Sequence, residues 1–144
     1  MDALTEKARK VFAGDRYAAL TGITIDAAGS DEATCSLTLD DHHLNARGVA
    51  MGGVLFTLAD FAAAVAASKD LCWVSLDSSI HFLAPATGSG LTAHCIALKK
   101  GRTTALYQTT VRRSDDGKTV AIAETTMIRT ADRSETIRSA AASS

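Results

Sequence analysis

A single carboxylate, Asp60, stands where a carboxylate is costly. From Gly53 to Ala67 the chain reads GVLFTLADFAAAVAA, and Thr57 and Asp60 are the only polar side chains in it. A helix apolar on nearly every side should be buried on nearly every side. An ionised carboxylate there costs free energy unless it is paired, hydrogen-bonded or used. Its neighbours on a helix would be Phe56, Thr57, Ala63 and Ala64, none of them cationic, so no partner lies three or four residues away. A cation from elsewhere or a neighbouring element to cap would give Asp60 a purely structural role. Without one, its chemistry is that of a general base or a nucleophile.

Three glycines, Gly48, Gly52 and Gly53, precede the apolar run. The first N–H groups of a helix have no intrahelical acceptor, and the helix dipole makes that end partly positive. Gly52 and Gly53 carry no side chain to keep a ligand oxygen away. Such a terminus can hold a developing oxyanion, where one lost donor costs roughly 3–4 kcal/mol of transition-state stabilisation. The plainer role for the pair is a tight turn. Asn45, just upstream, could donate its amide to the same oxygen, or bond its own backbone as turn asparagines do. Asp60 lies two turns beyond Gly52, roughly 11 Å along the axis. That is too far for both to act on one carbonyl, so the spacing predicts a site shared between two copies of the helix.

The other reactive residues form weaker patterns. Ser75, Ser79 and His81 could be assembled with Asp77 into a triad, but no strained nucleophile elbow surrounds either serine. His42 and His43 read as a solvated loop pair, and His94 stands alone on its strand. No histidine or cysteine spacing argues for a metal. The only concentrated positive charge is the turn at Lys99, Lys100 and Arg102, followed by Arg112 and Arg113. It is either a solvated hairpin end or a seat for phosphate groups.

These residues need elements to hold them. Across residues 3–20, Leu4, Ala8, Val11 and Phe12 fall at helical spacing ahead of Gly14, which predicts a short first helix. A strand follows over residues 23–27. Residues 33–39 alternate, with Ala33, Cys35, Leu37 and Leu39 on one face, as a half-buried strand does. The alanine-rich helix is predicted over 53–68, about 24 Å long and slim enough for a sheet to curl around. Residues 73–83 alternate Val74, Leu76, Ser78, Ile80 and Phe82 against Ser75, Asp77, Ser79 and His81, and Pro85 ends the run. Strands over 91–99, 103–113 and 119–130 follow, the last two joined at Asp116-Gly117, a strong hairpin signal. The order predicts α+β: one antiparallel sheet, its last four strands a meander, wrapped on one helix. Residues 131–144, rich in Ser and Ala, are expected to be a flexible tail.

Length and composition set bounds. The 144 residues suit one domain, here 1–130, with a real core. Apolar residues make up 47% and the formal net charge is −1, so nucleic acid or a membrane surface is not the expected partner. Cys35, Cys72 and Cys95 read as reduced core thiols. No apolar run is long enough for a membrane span, and the expected compartment is the cytoplasm.

The stretch from His43 through Asn45, Gly48, Met51, Gly52 and Gly53 to Asp60, with WVSLDSSIHFLAPA and KKGRT after it, resembles hotdog-fold thioesterases of the phenylacetate-pathway (PaaI) type. The likeness spans roughly residues 10–130. It implies a curved antiparallel sheet wrapped around one central helix and the hydrolysis of acyl- or aryl-CoA thioesters. By this resemblance Asp60 is the catalytic carboxylate, the Gly52 N–H the oxyanion donor, Asn45 a neighbour of the same carbonyl, and Ser75 an orienter of water. Gly53, Met51, His43 and Phe82 would line the substrate, and Lys99, Lys100 and Arg102 would meet CoA phosphates. CoA enters as part of the substrate, with no other cofactor. The family forms dimers, often paired into tetramers, with sites at the subunit interface.

One departure stands out. Met51 occupies the place of the family's histidine before the two glycines. It motivates an alternative, a non-catalytic acyl-CoA or small-ligand binding module on the same fold. A hydratase, which needs a well-placed histidine, fits less well.

Overall fold

The structure is a computed structural model that describes residues 2–67 and 70–130. Helices α1 (Ala3–Val11) and α2 (Arg16–Thr21) come first, where one helix was expected. Asp15 caps α2 by accepting from the Ala18 N–H at 3.0 Å, and Gly22, at φ +90°, ends it. Strands β1 (Thr24–Gly29) and β2 (Glu32–Thr38) lead through a short 3₁₀ turn, Asp41–His43, to α3 (Gly52–Ala67). Then come β3 (Trp73–Phe82), β4 (Gly90–Lys100), β5 (Thr104–Arg113) and β6 (Thr119–Arg129). The expected tail, 131–144, lies outside the described residues.

All strand pairs are antiparallel, in the order β1-β2-β4-β5-β6-β3. The expected four-strand meander is therefore only partly right. Strands β4, β5 and β6 form one, but β3 joins β6 at the far edge instead of β4. The physical reason is α3, which crosses the concave face of the sheet and delivers the chain to the opposite side. The connection after Phe82, carrying Pro85, then returns the chain to β2 instead of making a hairpin.

Alanines in the sheet make room for the helix. Leu55, Leu58, Ala59, Ala62 and Ala66 are buried against a wall that includes Ala93, Ala105, Ala121 and Ala123. Burying a leucine such as Leu58 contributes about 1.5–3 kcal/mol. Cys35, Cys72 and Cys95 are thiols inside this core, as expected. No helix among the described residues is long and apolar enough to cross a membrane.

The two edges of the sheet are treated differently. Helix α1 covers β1: the Thr5 hydroxyl accepts from the Ala28 N–H at 3.1 Å, and the Arg9 guanidinium donates to the Ile25 carbonyl at 3.0 and 2.8 Å. Strand β3 has no such cover among the described residues, and its Val74 and Leu76 are exposed. An open apolar edge strand is a template for another chain.

Candidate active site

Helix α3 is not buried on every side. Gly53, Phe56, Thr57, Asp60 and Ala64 form a stripe along it that the rest of the chain leaves open or half-covered. Asp60 is half-buried, and no cation pairs with it among the described residues. Its partner is Ser75, whose hydroxyl donates to Oδ1 at 3.0 Å.

Strict alternation would put Ser75 on the opposite face from Ser78, Ile80 and Phe82. A β-bulge at Leu76 overturns that reading. Ser75 pairs with Met127, but the next registered residue is Asp77, opposite Thr126. The extra residue shifts the pleat by one. Ser75, Ser78, Ile80 and Phe82 therefore share the helix-facing side, and Asp77, Ser79 and His81 lie on the other. The bulge brings the Ser75 hydroxyl to Asp60 and removes Asp77 and His81 from any triad with it.

At the other end of the stripe the first amides of α3 are open. The Val54 N–H bonds the Met51 carbonyl at 2.9 Å, while the Gly52 and Gly53 N–H groups have no partner among the described residues. Met51 stands at the N-cap position, is 59% exposed, and carries no oxygen with which to cap them. The loop leading here is firmly held. The Met51 N–H donates to the His43 carbonyl at 2.9 Å, the Ala50 N–H to Ala86 at 2.9 Å, and Gly48 turns at φ +79°.

Asn45 takes the turn role considered for it. Its Oδ1 accepts from the Arg47 N–H at 2.9 Å and the Val49 N–H at 3.4 Å. That bonding turns the amide oxygen to its own loop's backbone, and Nδ2 has no partner among the described residues. The two glycines differ. A Cβ on Gly52 would lie 2.9 Å from the Phe82 ring, whereas one on Gly53 would meet nothing. The bare α-carbon of Gly52 thus seats Phe82, while that of Gly53 faces open space.

His43 is not solvated, contrary to expectation. It is 3% exposed, its Nδ1 accepts from the Asp40 N–H at 3.1 Å, and its Nε2–H donates to the Thr21 carbonyl at 2.7 Å. Both nitrogens are spent on backbone groups, one in the loop and one at the end of α2, and the His43 carbonyl holds the Met51 N–H. Ligand-type atoms of Asp40, His42 and His43 come within 4.8 Å of one another. His43 offers no spare lone pair there, and Asp40 contacts the His42 ring directly.

The basic turn divides. The Lys100 ammonium is held by Asp31 at 2.6 Å and lies 4.5 Å over the Trp73 ring. Asp31 also accepts from the Tyr107 hydroxyl at 2.6 Å. Burial first, and the bond to Asp31 second, push Tyr107 ionisation far above the usual phenol range. This network, which sequence reasoning missed, ties the C-terminal end of α3 to the sheet through the Ala67 carbonyl, 3.4 Å from Lys100. Lys99 and Arg102 remain exposed at the same hairpin.

The arrangement offers a hydrogen-bonded carboxylate, open helix-terminal donors and a fixed amide, which suits acyl transfer from a thioester. Comparison with known proteins agrees. Residues 47–120 match the family model described as thioesterase superfamily. Human acyl-coenzyme A thioesterase 13 is 27% identical over 130 residues, 84% of this chain and 93% of that protein. The Escherichia coli PaaI protein of the phenylacetic acid degradation operon superposes with a TM-score of 0.83 at 29% identity, covering 90% of this chain and 98% of that one. A thioesterase from Streptococcus pneumoniae, solved with coenzyme A, has a TM-score of 0.76 at 29% identity, covering 85% and 96%. Sheet, central helix and matched segment agree with one another: this chain belongs to the thioesterase superfamily, as a PaaI-like acyl-CoA thioesterase of hotdog fold.

Proposed function

We propose that the chain hydrolyses an acyl-CoA thioester at a site built from two copies of itself. Asp60 of one copy supplies the carboxylate, and the Gly52 N–H and Asn45 amide of the other receive the oxyanion. The observation that carries this reading is the separation along α3. Donor and base must each come within about 3 Å of the reacting group, yet Gly52 and Asp60 of one helix are roughly 11 Å apart. The open stripe on α3 and the uncovered edge of β3 support a second copy at that face. Pairing of such dimers gives the tetramer expected for this family.

In the reaction, one Asp60 oxygen is held by Ser75 and the other is available to take a proton from water. The hydroxide adds to the thioester carbon, and the new oxyanion lies against the Gly52 amide. The C–S bond then breaks, the carboxylic acid forms, and the proton held by Asp60 passes to the CoA thiolate. Attack by Asp60 itself, with water opening the resulting anhydride, uses the same groups. Exposed Lys99 and Arg102 are the cations for CoA phosphates, Lys100 being committed to Asp31. Core thiols support a reducing, cytoplasmic compartment.

A panel of CoA thioesters read with a thiol reagent tests this. Wild type should release thiol, and Asp60→Asn and Asp60→Ala should lose turnover while keeping their fold by circular dichroism. Full activity in Asp60→Ala would remove Asp60 from the mechanism.

A further inference from the structure

A cavity of about 470 Å³ opens on the flank of α3 opposite Ser75, between α1, α2, β1 and Phe61. Phe12 and Phe61 meet edge to face at its base, with ring centroids 5.6 Å apart. Ala18 and Ile23 continue the apolar lining. Of the charged groups around it, Arg9 is bonded to the Ile25 carbonyl and Glu6, Asp15 caps α2, and Asp26 is exposed to solvent. A bulge at Asp26 bends β1 beside the cavity. Seven of its eleven lining residues are apolar, and its volume is that of a small-molecule site.

Two features connect this cavity to the reaction. The first is position. Phe61 follows Asp60 in the chain and lies about 100° further around the helix, some 10 Å of arc at the side-chain radius. Among the described residues near them on α3, Thr57 and Ala64 lie on the arc between them, and both are small. The second is origin. The cavity walls come from residues 9–26, outside the segment 47–120 that matches the family model, while its floor, Phe61, lies inside it. A common catalytic helix is thus closed on one flank by a part of the chain that the family pattern does not specify.

We propose that this cavity receives the distal end of an aliphatic acyl group, and that the preferred substrates are octanoyl-CoA and longer thioesters. This inference rests on the thioesterase reading, with the carbonyl at Asp60. An extended chain of roughly eight carbons spans the arc from Asp60 to Phe61. Acetyl and arylacetyl groups are shorter than the arc and leave the cavity unfilled.

Ala13 and Ala19 line the cavity from exposed positions, so a bulky side chain there fills it without disturbing the core. The test compares wild type, Ala13→Trp and Ala19→Trp on saturated acyl-CoAs from acetyl to dodecanoyl and on phenylacetyl-CoA. Decanoate binding is followed in parallel by saturation-transfer NMR. Wild type should prefer the longer chains. The tryptophan variants should lose about tenfold or more in kcat/KM for decanoyl- and dodecanoyl-CoA, keep their butyryl-CoA activity, and no longer bind decanoate. An unchanged chain-length profile with unchanged decanoate binding overturns the proposal and leaves the thioesterase reading intact. If wild type hydrolyses no thioester yet binds decanoate in a tryptophan-sensitive way, the cavity assignment stands and the thioesterase reading falls. Preference for phenylacetyl-CoA in wild type, undiminished by either tryptophan, also overturns it.

Discussion

Two defective chains should repair each other if the site is shared. Take Asp60→Asn, which removes the carboxylate, and Asn45→Asp, which keeps an acceptor for the Arg47 and Val49 N–H groups but deletes the amide donor. Losing a donor to a developing oxyanion costs about 10²–10³ in kcat, so each homogeneous variant should be nearly inactive. When the two are co-expressed in equal amounts, half the sites draw Asp60 from an intact chain. Half of those also draw Asn45 from an intact chain. About one quarter of wild-type activity should return, whether the assembly is a dimer or a pair of dimers. The assay is thiol release per milligram of co-purified protein, with the two variants carrying different affinity tags. Activity no greater than the mean of the two parents would refute the shared site. It would also mean that the 11 Å along α3 is bridged within one chain, in conflict with helix geometry.

Two other perturbations probe single bonds. Ser75→Ala removes the hydroxyl that donates to Asp60 at 3.0 Å; a hydrogen bond to a charged group contributes about 1.5–3 kcal/mol, and partial exposure reduces it. A loss of about tenfold in kcat with unchanged melting temperature is expected, with recovery in Ser75→Thr, and an unchanged kcat would remove Ser75 from the mechanism. Tyr107→Phe should cost about 1–3 kcal/mol by leaving Asp31 one donor short. Tyr107 ionisation is raised in the folded chain, by burial and then by Asp31, while an unfolded phenol ionises near pH 10. The contribution is therefore complete below about pH 10 and falls as pH rises above it. Urea unfolding against pH should show this alkaline decline in wild type and a shallower one in Tyr107→Phe.

The chain's pattern was legible wherever one local rule decided the outcome. Alternation over Ala33, Cys35 and Leu37, the alanine-rich helix and the Asp116-Gly117 turn all appear where expected. Strand order was not legible, because no local pattern says that a helix will carry β3 past β6. The second helix went unseen because six residues are too few for a clear period, although Asp15 and Gly22 bracket it as cap and stop. For the site, Asp60 was visible as a lone carboxylate in an apolar run. The face on which Ser75 lies was not, because a bulge adds one residue and reverses every later side of a period-two reading. Only the register of Ser75 with Met127 and of Asp77 with Thr126 reveals it.

Met51 looks in the sequence like a loss, a histidine exchanged for a side chain with no evident task. In the structure it stands at the N-cap of α3, where Ser, Thr, Asp or Asn would accept from a first-turn amide and stabilise the helix by about 1 kcal/mol. Methionine cannot, and the Gly52 and Gly53 amides have no partner among the described residues. The missing cap is tolerated because the loop is fixed by other means: the Met51 N–H on the His43 carbonyl and both His43 nitrogens on the backbone. A helix end left uncapped yet rigidly placed sacrifices a little stability and, in the reaction proposed above, keeps its donors for the oxyanion. Local rules are broken most usefully at such places. On this account Met51→Asp should stabilise the fold and suppress the reaction together, because one carboxylate would occupy the amides that the oxyanion needs.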